Sequence, residues 1–177
     1  VSICTPNYLH AEQSITALKN GKHVLCEKPM AIALSDAEKM LKIAEEVGKK
    51  LLVVKQNRYN PPVQAVKNLL NQHLLGKIHS FQINCFWNRT ESYYENNWRG
   101  KKSTDGGTLF TQFSHFVDLL YWFLGDIDSV SGILQNAQHP YIEFEDSGIV
   151  SFKMKSGAIG SLQYNVNSLS LIHISEP

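Results

Sequence analysis

Apolar positions change their period along the chain, and the changes mark its elements. Val1-Ser2-Ile3-Cys4 is a β-prone run stopped by Thr5-Pro6-Asn7. Over residues 8–20, Leu9, Ile15 and Leu18 recur at roughly helical spacing, and Gly21 is placed to end that helix. Residues 23–26 predict a second strand, ended by Glu27-Lys28-Pro29. Ser35 and Glu38 form a capping box, which predicts a helix with Met40, Leu41, Ala44 and Val47 inward and Gly48 at its end. Residues 51–54 predict a third strand, apolar on both faces, before Gln56-Asn57-Arg58-Tyr59-Asn60-Pro61.

Three strands alternating with two helices through short connections predict a parallel sheet covered on both faces. Right-handed crossovers bring the strand ends to one edge. Past Asn60 the pattern changes. Residues 63–72 predict a helix, 77–88 a long alternating strand and 89–107 a polar, aromatic loop. Residues 109–124 predict one strongly apolar helix, and 127–167 antiparallel strands with turns at Glu145-Asp146-Ser147-Gly148 and Lys155-Ser156-Gly157. The fold class is therefore α/β followed by α+β, divided near Asn60.

Composition narrows the possibilities. The chain has 177 residues, 43% hydrophobic and 19% charged, with 17 Lys+Arg against 16 Asp+Glu. That excludes a disordered or collagen-like polymer, and a net charge of +1 leaves no footprint for nucleic acid. The apolar runs are too short to span a bilayer, so no membrane partner is expected. Three cysteines, odd in number and without a CxxC pair, fit a reducing, cytoplasmic compartment. His and Cys show no zinc-ligand spacing, so no metal is expected, and no GxGxxG, Walker loop or GxSxG elbow occurs.

Ligands of open parallel sheets bind beyond the carboxyl ends of the strands. Thr5-Pro6-Asn7, Glu27-Lys28-Pro29 and Gln56-Asn57-Arg58 all fall there. Pro29 holds Lys28 extended, aimed into the crevice. Burial and a cationic ligand ring beside it would lower its pKa toward proton transfer; the alternative is a solvated lysine paired with Glu27. On the predicted apolar helix, Thr111, His115, Asp118 and Trp122 share one face. A polar stripe on a buried helix is hydrogen-bonded or functional. Asp118 is placed to orient His115, and the alternative is a satisfied core histidine. Asp105-Gly106-Gly107 before this helix allows close backbone approach to a ligand. The loop contributes Asn88, Arg89, Tyr93, Tyr94, Trp98, Arg99, Lys101 and Lys102, suited to a sugar or base with phosphate or carboxylate, or else to a partner surface.

Cys4-Thr5-Pro6-Asn7-Tyr8-Leu9-His10, the run from Gly21 to Pro29 that holds Glu27-Lys28-Pro29, and Asp105-Gly106-Gly107 through His115 to Asp118 resemble the Gfo/Idh/MocA oxidoreductases. The resemblance implies a partial Rossmann domain over residues 1–60, a partial substrate and oligomerisation domain on an open antiparallel sheet over 61–167, and NAD rather than NADP as cofactor. Residues 82–94, with Asn97-Trp98-Arg99-Gly100 and 107–115, look like the branch acting on the 3-hydroxyl of a UDP-N-acetylhexosaminuronic acid in surface-polysaccharide synthesis. The substrate implied is a nucleotide sugar, and the assembly a homo-oligomer formed through the sheet. Carried over, the catalytic residues are Lys28 and His115. Thr5, Pro6, Asn7, His10, Glu27, Lys28, Gln56, Trp98 and Arg99 line the dinucleotide. Lys28, Asn88, Arg89, Tyr93, Tyr94, Thr111 and His115 line the sugar. Many members carry Asp four residues before the histidine, where this chain has Thr111, so the proton relay rests on Lys28 and His115. Val1 begins inside a strand, which gives the expectation of a middle slice of a longer enzyme that alone binds NAD weakly and turns nothing over. Residues 168–177 resemble translated sequencing-adapter sequence and are expected to be non-native.

Overall fold

The computed structural model describes residues 1–95 and 98–168. Asn97 of the motif above and residues 169–177 of the suspected tail lie outside the described residues. The first sheet contains β1 (Ser2–Ile3), β2 (Val24–Cys26) and β3 (Leu51–Val53), parallel and in the order β1-β2-β3. Ile3 pairs with Cys26, and Cys26 with Val53, so all three strands end at one edge. A 3-10 turn (Asn7–Leu9) runs into α1 (His10–Lys19), and α2 (Leu34–Glu46) links β2 to β3. The strand order is monotonic, so two crossovers of one hand lay both helices on the same face. Ile3, Leu18, Val24, Cys26, Met40, Ile43 and Ala44 form the core there. Leu25 and Leu52 remain exposed on the other face, so among the described residues the sheet is covered on one side, not on both. The capping box also does not form. Ala33 is the N-cap, no side chain caps α2, and Ser35 lies inside the helix because its first turn starts at Leu34.

A 3-10 turn (Gln56–Tyr59) leads to α3 (Pro61–Asn71). This helix begins two residues before the expected start, because Pro61 and Pro62 suit the first positions, where N–H groups are not needed. Then come β4 (Ser80–Phe86), the short α4 (Glu91–Tyr94) and α5 (Thr108–Thr111), α6 (Ser114–Leu124), β5 (Ile127–Gln135), β6 (Ser147–Met154) and β7 (Ile159–Asn165). The second sheet has the order β4-β7-β6-β5 and is antiparallel except for the parallel pair β4–β7. Alternation along β6 puts Val150, Phe152 and Met154 inward, where with Leu162, Tyr164 and Cys85 they pack against Phe113 and Leu120. The outer face is apolar at Ile133, Ile149 and Ile159.

The single helix expected over 109–124 is broken. α5 ends at Thr111 and α6 begins at Ser114. Gln112 and Phe113 both direct their N–H to Thr108 O, at 2.9 and 3.2 Å. Phe113 leaves helical geometry (φ −94, ψ 2) and turns its ring inward, 4.8 Å from the Trp87 ring and 4.9 Å from that of Tyr164. Burial of this ring between two aromatics holds the break.

Where β4 meets β7, Gly160 lies opposite Phe81. A Cβ there would collide with Phe81 O and stand 2.6 Å from the Phe81 ring. Gly160→Ala is therefore expected to cost about 2 kcal/mol of unfolding free energy in urea denaturation. An unchanged midpoint would contradict the close strand approach.

Candidate active site

The loops after β1 and β2 meet at the carboxyl edge of the first sheet. His10, 1% exposed, stands between them. Its Nε2 lies 2.8 Å from Thr5 O and its Nδ1 2.7 Å from Pro29 O, so the ring clasps both loops. Thr5 donates its hydroxyl to Gln13 Oε1 at 2.8 Å. Asn7 is buried and donates its amide to Asp105 O at 3.0 Å. Thr5, Asn7 and His10 therefore shape the edge from within, because their polar atoms are already engaged. Gln56 is exposed at the third strand's end.

Lys28 crosses from the first sheet to the helices of the second. Its Nζ donates to Thr111 O at 3.1 Å. That carbonyl belongs to the last residue of α5, just before the break. Ser114 Oγ donates to the same carbonyl, also at 3.1 Å. The solvated Lys28–Glu27 pair does not form, since Glu27 Oε2 instead accepts the Lys28 backbone N–H at 3.2 Å. Burial disfavours the Lys28 ammonium and pushes its pKa down; Glu27 and Asp105 oppose this, while Lys55 and Arg89 add to it.

His115, on α6, is 6% exposed, and its Nδ1 is buried without a partner. Burial first, then the positive charges of Lys28 and Lys55, push its pKa down to about 4. The imidazole is thus neutral at pH 7. Asp118 does not orient it. The Asp118 carboxylate accepts both Arg58 Nε and Nη2 at 2.7 Å, a bidentate pair joining the linker after β3 to α6. Thr111 does not extend the polar stripe either, because the break shifts its phase and its hydroxyl donates to Gly107 O at 2.7 Å. Trp122 lies under Arg58 and Lys67, whose charged ends stand 5.5 and 5.3 Å from its ring.

In the loop after β4, Arg89 and Arg99 bring their guanidiniums within 4.9 and 4.2 Å of the same Tyr93 ring. Both Nε atoms are buried without a partner, and among the described residues neither arginine forms an ion pair. Trp98 flanks Arg99 at 5.2 Å. Asn88 is exposed and bridges Asn167 at the strand end. Tyr94 turns away into a small core with Ile142 and Phe144, and its hydroxyl accepts Gln112 Nε2 at 3.4 Å. Its ring therefore packs rather than facing the open site.

The Arg89 backbone is pinned by residues that sequence reasoning did not single out for chemistry. Its N–H donates to Val166 O at 2.7 Å, and its carbonyl lies 2.8 Å from His139 Nε2. His139 Nδ1 in turn lies 2.9 Å from Asp146 Oδ2. Burial would raise the Asp146 pKa, but His139, the Ala137 and Gln138 N–H groups and Ser147 outweigh it and hold the carboxyl below its ordinary range. Asp146 lay within a turn tetrapeptide, and nothing local marked it as the partner of a histidine seven residues earlier.

A parallel sheet with a depressed lysine and a neutral histidine beyond its strand ends, followed by a mainly antiparallel sheet, has the form of a Rossmann-type domain with an appended second sheet. Residues 1–55 match the model of the oxidoreductase family, NAD-binding Rossmann fold, and 63–170 that of the GFO/IDH/MocA C-terminal domain. The chain belongs to the GFO/IDH/MocA family. The WlbA dehydrogenase of Chromobacterium violaceum, solved with NADH and UDP-GlcNAcA, is 40% identical with a TM-score of 0.90 over 95% of this chain and 49% of its own. For WlbA of Bordetella pertussis, solved with the same ligands, the values are 39%, 0.91, 94% and 52%. The 2,7-anhydro-N-acetylneuraminate hydratase of Escherichia coli is 31% identical over 93% of this chain and 45% of its own. The chain spans about half the length of these relatives.

The depressed His115 has a measurable consequence. In the unfolded chain the imidazole titrates near its ordinary 6.5, and in the fold near 4. Below pH 6.5 the unfolded state therefore binds more protons, and stability falls as pH drops toward 4. This single group costs roughly 2 kcal/mol between pH 7 and pH 5. Burial raises the Asp105 pKa, a shift that acts in the opposite direction, so the comparison is with His115→Asn. Urea denaturation at the two pH values should give the variant a smaller acid loss by about that amount; equal losses would contradict a neutral, buried His115.

Proposed function

We propose that this chain carries the catalytic edge of an NAD-dependent dehydrogenase that oxidises the 3-hydroxyl of a UDP-N-acetylhexosaminuronic acid. The observation that carries the reading is the pair of guanidiniums stacked on Tyr93, without an ion pair among the described residues, and with Arg89 in the electrostatic environment of Lys28. A uronate with a diphosphate offers two anionic groups to such a wall, and guanidinium forks suit both. The likeness to two WlbA dehydrogenases solved with UDP-GlcNAcA supports the same choice.

The residues fit a dinucleotide. Thr5, Pro6 and Asn7 shape the loop at the β1 end with His10 behind it, while Glu27, Gln56, Trp98 and Arg99 would border its nicotinamide half. When bound, NAD+ supplies the acceptor for the hydride leaving the sugar carbon. The protein's task is the hydroxyl proton. A neutral lysine amine has two N–H bonds and one lone pair. With one N–H directed to Thr111 O, its lone pair is free to accept that proton, and the carbonyl then steadies the new ammonium. His115, neutral at working pH, is the second group placed to hold the substrate proton beside Lys28. Asn88, Arg89, Tyr93 and Thr111 border the sugar side.

The outer face of the second sheet, with Ile133 directly across from Ile149, supports pairing with a second copy. Ile133→Lys is expected to lower the mass found by light scattering for a full-length protein carrying these residues; an unchanged mass would remove this face from the assembly.

For the activity, the same full-length protein is assayed for NAD reduction with UDP-N-acetylglucosaminuronic acid. Lys28→Met is expected to lower kcat by about 10²- to 10⁴-fold. Arg89→Gln is expected to raise KM about 10- to 100-fold with a smaller change in kcat. Full activity of Lys28→Met would sink the base. Turnover of free polyols instead would assign another sugar or inositol dehydrogenase, and NADH binding without any turnover a dinucleotide sensor.

A further inference from the structure

His139 is 4% exposed and Asp146 is fully buried, and neither has a part in the chemistry above. They close a ring of four hydrogen bonds at the base of the Arg89 side chain. The Arg89 N–H donates to Val166 O at 2.7 Å, and the Val166 N–H donates to Asp146 O at 2.9 Å. Asp146 Oδ2 lies 2.9 Å from His139 Nδ1, and His139 Nε2 lies 2.8 Å from Arg89 O. A carboxylate and a carbonyl are both acceptors, so the imidazole serves both by donating from each nitrogen. The Asp146 carboxylate, held by the Ala137 and Gln138 N–H groups and the Ser147 hydroxyl, supplies the opposite charge. His139 is itself fixed by Asn136, which accepts its N–H at 3.0 Å and donates to its carbonyl at 2.8 Å. The Tyr94 and Tyr141 rings stand edge-on to it, each with its centroid 5.6 Å away.

We propose that His139 is a positioning residue for Arg89, its Nε2–H fixing the Arg89 carbonyl so that the guanidinium stands where an anionic substrate meets it. Without that contact a backbone carbonyl loses its donor, and Arg89 is held by its own N–H alone. The side chain has little else to hold it. It lies over the Trp87 and Tyr93 rings at 5.0 and 4.9 Å and donates to the neighbouring Asn88 O at 3.0 Å. It forms no ion pair among the described residues. Stacking on a ring face tolerates sliding, whereas a directional hydrogen bond does not, so the place of the guanidinium on Tyr93 is set from His139. The effect on substrate rests on the reading above that Arg89 borders the sugar; the contact itself does not.

Two substitutions separate the two bonds of the imidazole. His139→Gln keeps a donor in the place of Nε2, toward Arg89 O, and His139→Asn keeps one in the place of Nδ1, toward Asp146. In the 177-residue chain, 1H NMR reads the ring-current shift that Tyr93 imposes on the Arg89 side-chain protons. That shift is expected to be lost in His139→Asn and kept in His139→Gln. In the full-length protein, His139→Asn should raise KM for UDP-N-acetylglucosaminuronic acid about 5- to 10-fold with kcat nearly unchanged, while His139→Gln stays near the parent. An Arg89 shift unmoved in both variants would leave His139 merely structural and overturn the proposal. Where neither variant folds, the parent chain decides, because losing the ring proton as pH rises breaks one of the two bonds. The titratable groups facing His139 keep their charge near neutrality: Asp146 is held below its ordinary range, and burial lifts Tyr94 and Tyr141 above theirs. An Arg89 shift that stays put through the His139 titration overturns the proposal. An Arg89 shift lost in His139→Asn with KM unmoved would uphold the positioning and remove Arg89 from the substrate site.

Discussion

One hydrogen bond organises the molecule: Lys28 Nζ to the Thr111 carbonyl, from the edge of the parallel sheet to the helices of the second. Its acceptor is the last residue of α5. The break between α5 and α6 follows that residue, and it is held by Phe113, whose ring is fully buried between Trp87 and Tyr164. A packing decision in the core of the second sheet therefore sets the polar geometry at the end of the first.

Two further contacts keep that bond in register. The bidentate Arg58–Asp118 pair ties the segment after β3 to α6, one turn from His115. His10, between Thr5 and Pro29, ties the β1 loop to the one bearing Lys28. Both are partly or fully buried, where a charged or hydrogen-bonded partner matters more than in solvent. The segments bearing Lys28 and His115 are thus braced by contacts made away from those two side chains.

Much of this was legible in the sequence because it follows from period and punctuation. Alternation in β6 and helical spacing in α1 and α2 gave the elements, and the Glu27-Lys28-Pro29 and Asp105-Gly106-Gly107 runs marked the edge. What escaped was whatever depends on three-dimensional competition. Ser35 and Glu38 had capping chemistry, but Leu34 opens the helix earlier. Asp118 was three residues from His115, yet Arg58, sixty residues away, takes its carboxylate. Thr111 and His115 shared a face only on an unbroken helix, and no local feature of Gln112-Phe113 announces a break that tertiary burial imposes. Tyr94 and Tyr93 look alike in sequence, but one joins a core with Ile142 and Phe144 while the other receives two guanidiniums.

The parallel pairing of β4 with β7 carries a consequence for biosynthesis. An antiparallel neighbour follows within a turn, as β7 follows β6, but β4 finds its partner only after the whole stretch from Phe86 to Ile159 has been made. On the ribosome, the three-strand sheet with its local crossovers can close early. The second sheet must wait, with the apolar α6 and the aromatic cluster around Phe113 exposed in the meantime. Formation of the Lys28–Thr111 bond is therefore a late event in synthesis, and that interval is where chaperone capture and aggregation compete with folding.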